Sequence, residues 1–286
     1  MDLLRSLLFV PADSSRKLAK ARSLRPDAFI YDLEDAVAPD KKLQARAMLA
    51  EELPHAVELP VKIFIRVNRV GTAFFEEDLR VAVRRGVFGV VLPKCGAVEE
   101  VAVVEKQMLA LEEKNGIAKN SIKLLPILES AQGVIRAGEL ARSSSRILAL
   151  IFGAEDYCVD MGISHTKAGE EVAFAQSMVA LAAKSQGLHA IDGVFTYFND
   201  EAGLFDETRR MRRTGFTGKM LIHPNQIQTV HRALASSAEE IAWAEEVLGA
   251  FDRAQSGVTA VRGKMVDEPV ILQARRILKQ RDDYTS

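Results

Sequence analysis

Asp32-Leu33-Glu34-Asp35, Arg66-Val67-Asn68, Pro93-Lys94, Glu129-Ser130, Gly153-Ala154-Glu155-Asp156 and His223-Pro224-Asn225 share one property. Each closes a short apolar run. Acids dominate the set. Several carboxylates facing one mouth repel one another in a low-dielectric pocket, and a bound cation relieves the repulsion. No Cys or His cluster suits zinc, so oxygen ligands point to Mg²⁺, with Mn²⁺ as the alternative. Glu129 and Asp156 follow neighbouring runs, so both side chains could reach one octahedral ion, with water and substrate oxygens at its other positions. The competing explanation is local, since acids at strand-to-helix junctions also cap helices or lie exposed in loops. Position alone leaves both open.

Arg66 ends the apolar run Ile63-Phe64-Ile65. A guanidinium there either grips a substrate carboxylate or enolate oxygen in bidentate fashion, or pairs with one of the loop acids. Arg16, Lys17, Lys20, Lys41 and Lys42 form a cationic cluster that either holds phosphates or is a solvated helix face. His189 and His223 read as structural. Cys158 lies beside the acidic loop without a basic partner to make it a nucleophile.

These residues need a scaffold that brings strand ends together. Eight β-rich apolar runs cover Ser6–Val10, Ala28–Asp32, Lys62–Val67, Gly89–Pro93, Leu124–Leu128, Ile147–Gly153, Ala190–Phe195 and Lys219–His223. Most are continuous rather than alternating, as in strands buried on both faces of a parallel sheet. Amphipathic segments separate them: Ser15–Leu24, Lys41–Glu51, Glu76–Arg85, Val98–Lys114, Ala131–Ala141, Glu171–Ala183, Glu201–Arg212 and Asn225–Leu234. Eight βα units without a G-x-G-x-x-G turn after the first strand favour a (β/α)8 TIM barrel over an open doubly wound sheet. Its active site then lies at the C-terminal strand ends, where the polar residues cluster. We read 1–236 as the barrel domain and 237–286 as an extension that caps the barrel and reaches an adjacent subunit. In the extension, Ala238–Ala254 is helical up to a Gln255-Ser256-Gly257 break, Val258–Val261 is extended, and Pro269–Lys279 is a last helix.

The 286 residues suit one barrel of roughly 250 residues plus an appendage. With 38 basic and 39 acidic residues, the chain has no global field to attract nucleic acid or an anionic membrane. No apolar stretch of about 18 residues is available to span a bilayer. Cys95 and Cys158 form no CxxC pair, and the Met1–Pro11 segment is too short for a secretory leader. A soluble cytoplasmic protein is expected.

The ordered segments Arg5-Ser6-Leu7-Leu8-Phe9-Val10-Pro11, Tyr31-Asp32-Leu33-Glu34-Asp35-Ala36-Val37-Ala38-Pro39, Ile65-Arg66-Val67-Asn68, Leu92-Pro93-Lys94, Gly153-Ala154-Glu155-Asp156-Tyr157, Gly218-Lys219-Met220-Leu221-Ile222-His223-Pro224-Asn225-Gln226 and Gly263-Lys264-Met265-Val266-Asp267 span nearly the whole chain. Together they resemble the citrate lyase beta-subunit-like group of the HpcH/HpaI aldolase superfamily. That resemblance implies that Glu129 and Asp156 are Mg²⁺ ligands, with Glu129 also at the substrate, and that Arg66 contacts the acyl or keto-acid oxygens. It implies that Asp267 is the acid/base, offered to the active site of an adjacent subunit. Arg16, Lys20 and Lys41 correspond to positions that contact CoA phosphates, and Ile222 and His223 to a CoA-contacting pair. Glu34 and Asp35 correspond to loop carboxylates bonding the metal's waters. A homotrimer or hexamer is implied as well.

The activity so implied is Mg-dependent cleavage or formation of a 3-hydroxyacyl-CoA, such as citramalyl-, malyl- or citryl-CoA, with acetyl-CoA and a 2-keto acid as products. Two alternatives share the scaffold: a malyl-CoA-type thioesterase, and the beta subunit of a citrate lyase complex that acts on an acyl-carrier protein. The loop Tyr157-Cys158-Val159-Asp160-Met161-Gly162 varies among relatives where the acyl group should sit, so the chemistry is better specified than the substrate.

Overall fold

Apolar runs buried on both faces need neighbours on both edges, and closure supplies them. The computed structural model describes residues 3–253 and 259–285. Eight parallel strands form a closed barrel in sequence order: β1 (Ser6–Pro11), β2 (Ala28–Asp32), β3 (Lys62–Arg66), β4 (Gly89–Leu92), β5 (Lys123–Leu128), β6 (Ala149–Phe152), β7 (His189–Asp192) and β8 (Gly218–Leu221). Strand β8 closes the ring by pairing with β1 through Ser6↔Lys219 and Leu8↔Leu221. The core cluster includes Leu7, Ile30, Phe64, Val91, Leu125, Ile127, Ile151, Ile191 and Met220, so every strand contributes to one packed interior.

Around it run α1 (Ser15–Ala21), α2 (Lys42–Ala56), α3 (Phe75–Ala82), α4 (Val98–Lys114), α5 (Ala131–Ile135), α6 (Ala137–Ala141), α7 (Ala154–Met161), α8 (Ala173–Ser185), α9 (Glu201–Arg213) and α10 (Gln226–Leu234). Three differences from the sequence expectations bear on the site. The run 147–153 is strand only over Ala149–Phe152, because Gly153 turns out of the sheet to become the N-cap of α7. Helix α7 itself was not expected, and it carries Asp156 in its first turn. The strand expected over 190–195 is β7, His189–Asp192, so Val194 and Phe195 belong to the loop above it.

Two compact units divide the chain at the end of α10, Met1–Ala233 and Leu234–Ser286. The second unit holds α11 (Ala238–Arg253), β9 (Thr259–Val261), β10 (Lys264–Val266) and α12 (Glu268–Thr285). Ala244, Val247, Val261, Val266, Ile271, Ala274 and Ile277 form its own core. Strands β9 and β10 make a hairpin turned by Arg262 and Gly263, both at positive φ, as a two-residue turn of the tightest twist-matched kind requires. The Gln255-Ser256-Gly257 break lies outside the described residues. Among the described residues no helix is long and apolar enough to cross a membrane.

Candidate active site

Parallel pairing in register sets Asp32, the last residue of β2, beside Arg66, the last residue of β3. Arg66 Nε and Nη2 donate to the two oxygens of the buried Asp32 carboxylate, at 2.7 and 2.6 Å. The same carboxylate accepts the backbone N–H of Glu34 at 2.8 Å and of Ala36 at 3.1 Å, which folds the acidic loop over the strand end. Arg66 Nη1 then faces Glu34 Oε2 at 3.1 Å and Asp35 Oδ2 at 3.6 Å. Its guanidinium lies 4.5 Å from the centre of the Phe9 ring. Burial opposes the charge on Arg66, but these acids more than offset that and raise its pKa.

The ion pair left open for Arg66 by the sequence is therefore present. The bidentate edge of the guanidinium is engaged by Asp32, which leaves Nη1 as the edge nearest the acids of the mouth.

Lys94 follows β4 with a left-handed backbone, φ +53°. Its N–H donates to Glu129 Oε1 at 2.6 Å. Its ammonium lies 2.8 Å from Glu34 Oε1, 3.4 Å from Asp35 Oδ1 and 3.9 Å from Asp156 Oδ1. Glu129, directly after β5, is buried, whereas Asp156 in the first turn of α7 is 43% exposed. Burial and then the Asp156 charge push the Glu129 carboxyl up to about 8, against the pull of the Lys94 amide. Gly153 lies against Glu129, where a Cβ would come within 2.6 Å of Oε2 and 2.7 Å of Cβ. Only a residue without a side chain leaves that carboxylate in place.

Among the described residues no group of three or more His, Cys, Asp or Glu side chains could hold a metal ion. What the protein offers is the pair Glu129 and Asp156, both lining the mouth. Two carboxylates with surplus negative charge suit a hard divalent ion that keeps water or substrate oxygens at its other positions. They do not suit a closed structural site. Neither acid caps a helix through its side chain, because the α7 cap is Gly153 and the α5 cap is Ser130, whose hydroxyl accepts from Gly133 N.

The mouth opens into a cavity of about 880 Å³. Asp35, Arg66, Glu129 and Asp156 line it, and so do Arg16, Lys17 and Lys20 of α1. Ile222, His223 and Pro224 after β8 complete the wall. Gln226 fixes that corner: its Oε1 accepts from Ile222 N and His223 N at 2.9 and 3.1 Å, and its Nε2 donates to Phe195 O at 2.9 Å. Phe198 stacks on His223 with ring centres 5.5 Å apart.

Of the residues expected at the site, Glu34 bonds Lys94 and Arg66 without lining the cavity. Lys41 is exposed in a short turn before α2 and does not line the cavity either. Lys42, counted with the cationic cluster, is buried. Its ammonium donates to Leu33 O and Glu34 O, both at 2.7 Å, so it braces the acidic loop and is no phosphate ligand. His189 is structural, bonded to Thr217 Oγ1 at 2.9 Å. Cys158 is buried with its thiol pKa raised, chiefly by burial, consistent with an inert role. In the second unit, Asp267 precedes α12 and its Oδ1 accepts the Val270 N–H at 3.3 Å, a helix-capping contact. Asp32, Lys94 and Gly153 were named in the sequence only as strand ends or motif letters. Their clue was the motif company they keep.

A parallel eight-stranded barrel with an acid-rich, cation-seeking mouth at its C-terminal strand ends is the framework of a (β/α)8-barrel enzyme. The chain belongs to the HpcH/HpaI aldolase/citrate lyase family, which matches residues 5–224, and so to the carbon–carbon lyases. It is 36% identical to the citrate lyase subunit beta of Escherichia coli K12 over 279 residues, 96% of this chain and 92% of that protein. It is 32% identical over 287 residues to the mitochondrial citramalyl-CoA lyase of Mus musculus, 96% of this chain and 85% of the relative. To the (3S)-malyl-CoA thioesterase of Cereibacter sphaeroides it is 32% identical over 277 residues, 96% of this chain and 93% of the other. Among solved structures, it resembles the CitE protein of Mycobacterium tuberculosis in complex with magnesium, acetoacetate and coenzyme A, with a TM-score of 0.82, 31% identity and 98% of each chain covered.

Proposed function

We propose that the protein is a Mg²⁺-dependent lyase that cleaves, or in reverse forms, a 3-hydroxyacyl-CoA thioester of the citramalyl-, malyl- or citryl-CoA type, giving acetyl-CoA and a 2-keto acid. The observation that carries the reading is buried Glu129, raised by the Asp156 charge, lining the same cavity as Arg16, Lys17 and Lys20. An acid pair for a divalent ion and a basic helix for phosphates fit an acyl-CoA better than a free acid.

When bound between Glu129 and Asp156, the divalent ion supplies a Lewis acid for the substrate's carboxylate and hydroxyl oxygens. Glu34 and Asp35, gathered by Arg66 and Lys94, orient water around it. Arg66 Nη1 offers a donor to the oxygen that turns from hydroxyl to carbonyl. Transfer of the hydroxyl proton to a solvent base lets the bond to the carbon next to the thioester break. Its electron pair leaves on the thioester as an enolate, and the remaining fragment is the keto acid. Asp267, carrying a proton, gives it to the enolate carbon and releases acetyl-CoA. In this reading Asp267 serves an adjacent subunit of a homotrimer or hexamer, and residues 237–286 form the segment that brings it there. Arg16 and Lys20 hold the CoA phosphates while Ile222 and His223 pack against the carrier. Lys41, outside the cavity wall, serves CoA only at its periphery. The cytoplasm, where CoA esters are made and used, is the expected location.

The test is turnover of the three thioesters with Mg²⁺, with products identified. Acetyl-CoA plus keto acid is expected, with near-complete loss in Glu129→Ala, Asp156→Ala and Asp267→Ala. Normal turnover in the first two sinks the reading. A second reading, thioester hydrolysis, is favoured by the similarity to the malyl-CoA thioesterase. It predicts free CoA plus intact hydroxy acid instead. No reaction on CoA esters, with activity only on an acyl-carrier protein, would mark a complex subunit. Arg66→Ala and Asp267→Ala chains refolded together should regain activity if Asp267 works across subunits.

A further inference from the structure

Lys94 sits at an unusual junction. It is one of three described non-glycine residues with positive φ. Arg262 belongs to the β9–β10 turn, and Asn120 to the loop before β5. Lys94 belongs to the active site. A left-handed backbone is costly for a lysine, so the surrounding structure must impose it. What that backbone achieves is specific: the Lys94 N–H points at Glu129 Oε1, at 2.6 Å. The other oxygen, Oε2, lies against the bare Cα of Gly153. Glu129 is thereby pinned through one oxygen while the other remains for a ligand.

The side chain does something different. Its ammonium stands within 4 Å of three separate carboxylates, those of Glu34, Asp35 and Asp156. Arg66 also reaches Glu34 and Asp35, at 3.1 and 3.6 Å, but its pairing with Asp32 commits most of its charge elsewhere. Of the two cations, Lys94 is the one that reaches a proposed metal ligand. The ammonium lies where positive charge is most needed, and it is half-buried rather than free in solvent.

We propose that Lys94 is a positioning residue with two separable parts: a strained amide that fixes Glu129, and an ammonium that serves as the site's built-in counter-cation and competes with the divalent ion for Asp156. This rests on reading Glu129 and Asp156 as the metal ligands. Without metal, the ammonium holds the acids together. As the ion binds, Nζ gives up Asp156 and keeps Glu34 and Asp35. The affinity of the empty site for metal is thereby held down, and loading is favoured when an anionic substrate adds its own charge.

A charge competitor and a merely structural lysine predict opposite signs. The full-length protein is titrated with Mn²⁺ alone and followed by electron paramagnetic resonance, with thermal unfolding recorded in parallel. In Lys94→Met, Mn²⁺ should bind about tenfold more tightly, because a positive charge near the ion is gone. The metal-free protein should melt lower than the parent, and Mn²⁺ should close that gap. Lys94→Arg keeps the charge and should return Mn²⁺ affinity to within about threefold of the parent and the metal-free melting temperature close to the parent's. If Lys94→Met does not fold, Lys94→Gly carries the same test, because glycine is at ease at positive φ and keeps the amide. Weaker or unchanged Mn²⁺ binding in the Met or Gly variant overturns the counter-cation. The metal reading has its own control. If the parent binds no Mn²⁺, or Glu129→Gln binds it as the parent does, that reading fails regardless of what Lys94 does.

Discussion

Glu112 and Glu129 are both buried glutamates of one barrel, and they hold their protons in opposite ways. Glu112, on α4, meets Arg146 through two hydrogen bonds of 2.7 Å and accepts the N–H groups of Asn120 and Ile122. Burial raises its pKa, but those donors more than offset that, and the net direction is down. Glu129 has one amide, from Lys94, and an acidic neighbour in Asp156. Burial wins there, and the group rises to about 8. An acid buried with its own cation is a brace. An acid buried without one is a vacancy for charge, and that is where a ligand belongs.

If buried acids divide this way, substitutions should split stability from turnover. Glu129→Gln should lower kcat/KM by about 10³-fold, roughly 4 kcal/mol of transition-state stabilisation, while urea unfolding shows no loss of stability. A loss of stability comparable with that of a broken brace would erase the distinction. Arg146→Met strands Glu112 uncompensated in the interior, and should cost about 3–5 kcal/mol in urea unfolding. Its turnover per folded molecule should stay near that of the parent.

The pH dependence sharpens the same contrast. A carboxyl whose folded pKa lies above its unfolded value favours the folded protein at low pH. That contribution is complete below about 4.5, the ordinary glutamate value, and is lost as pH rises through about 8. Metal-free protein should therefore melt at lower temperature as pH climbs across that window, and Glu129→Gln should lack the slope. Mn²⁺ binding should strengthen over the same rise, because the ion displaces a proton. The smallest effect is at the basic wall. Lys20→Glu should weaken CoA binding about tenfold in calorimetry, more at low salt than at high, whereas Lys41→Glu, off the wall, should change it less than about twofold.

Much of this was legible before any coordinates. Continuous apolar runs such as Ala28–Asp32 read as strands buried on both faces, and eight of them in series favour a closed barrel over an open sheet. Glu129 and Asp156 were marked by their place at strand ends, which helix caps or loop acids would explain equally well, and the surrounding motifs singled them out. The rest was hidden for physical reasons. That Asp32 would take the bidentate edge of Arg66 depends on β2–β3 register, which one strand alone does not reveal. Lys42 looked like its neighbour Lys41, yet one is buried against Leu33 O and the other exposed, because helical phase separates adjacent side chains by about 100°. Helix α7 starts one residue past β6, after Gly153, and is only about two turns long, so its residues read as a loop. The positive φ of Lys94 has no composition signal at all.

Gly153 sets the terms for anyone who would redesign this enzyme. One methyl group at that position has nowhere to go except into the Glu129 carboxylate. A saturation library across the acyl end of the cavity should therefore return active clones from position 155, whose exposed side chain faces the cavity and solvent, and none from 153. New substrate range must be sought around that glycine, in the loops that can yield, while the glycine itself serves as a gauge block against which the Glu129 carboxylate is set.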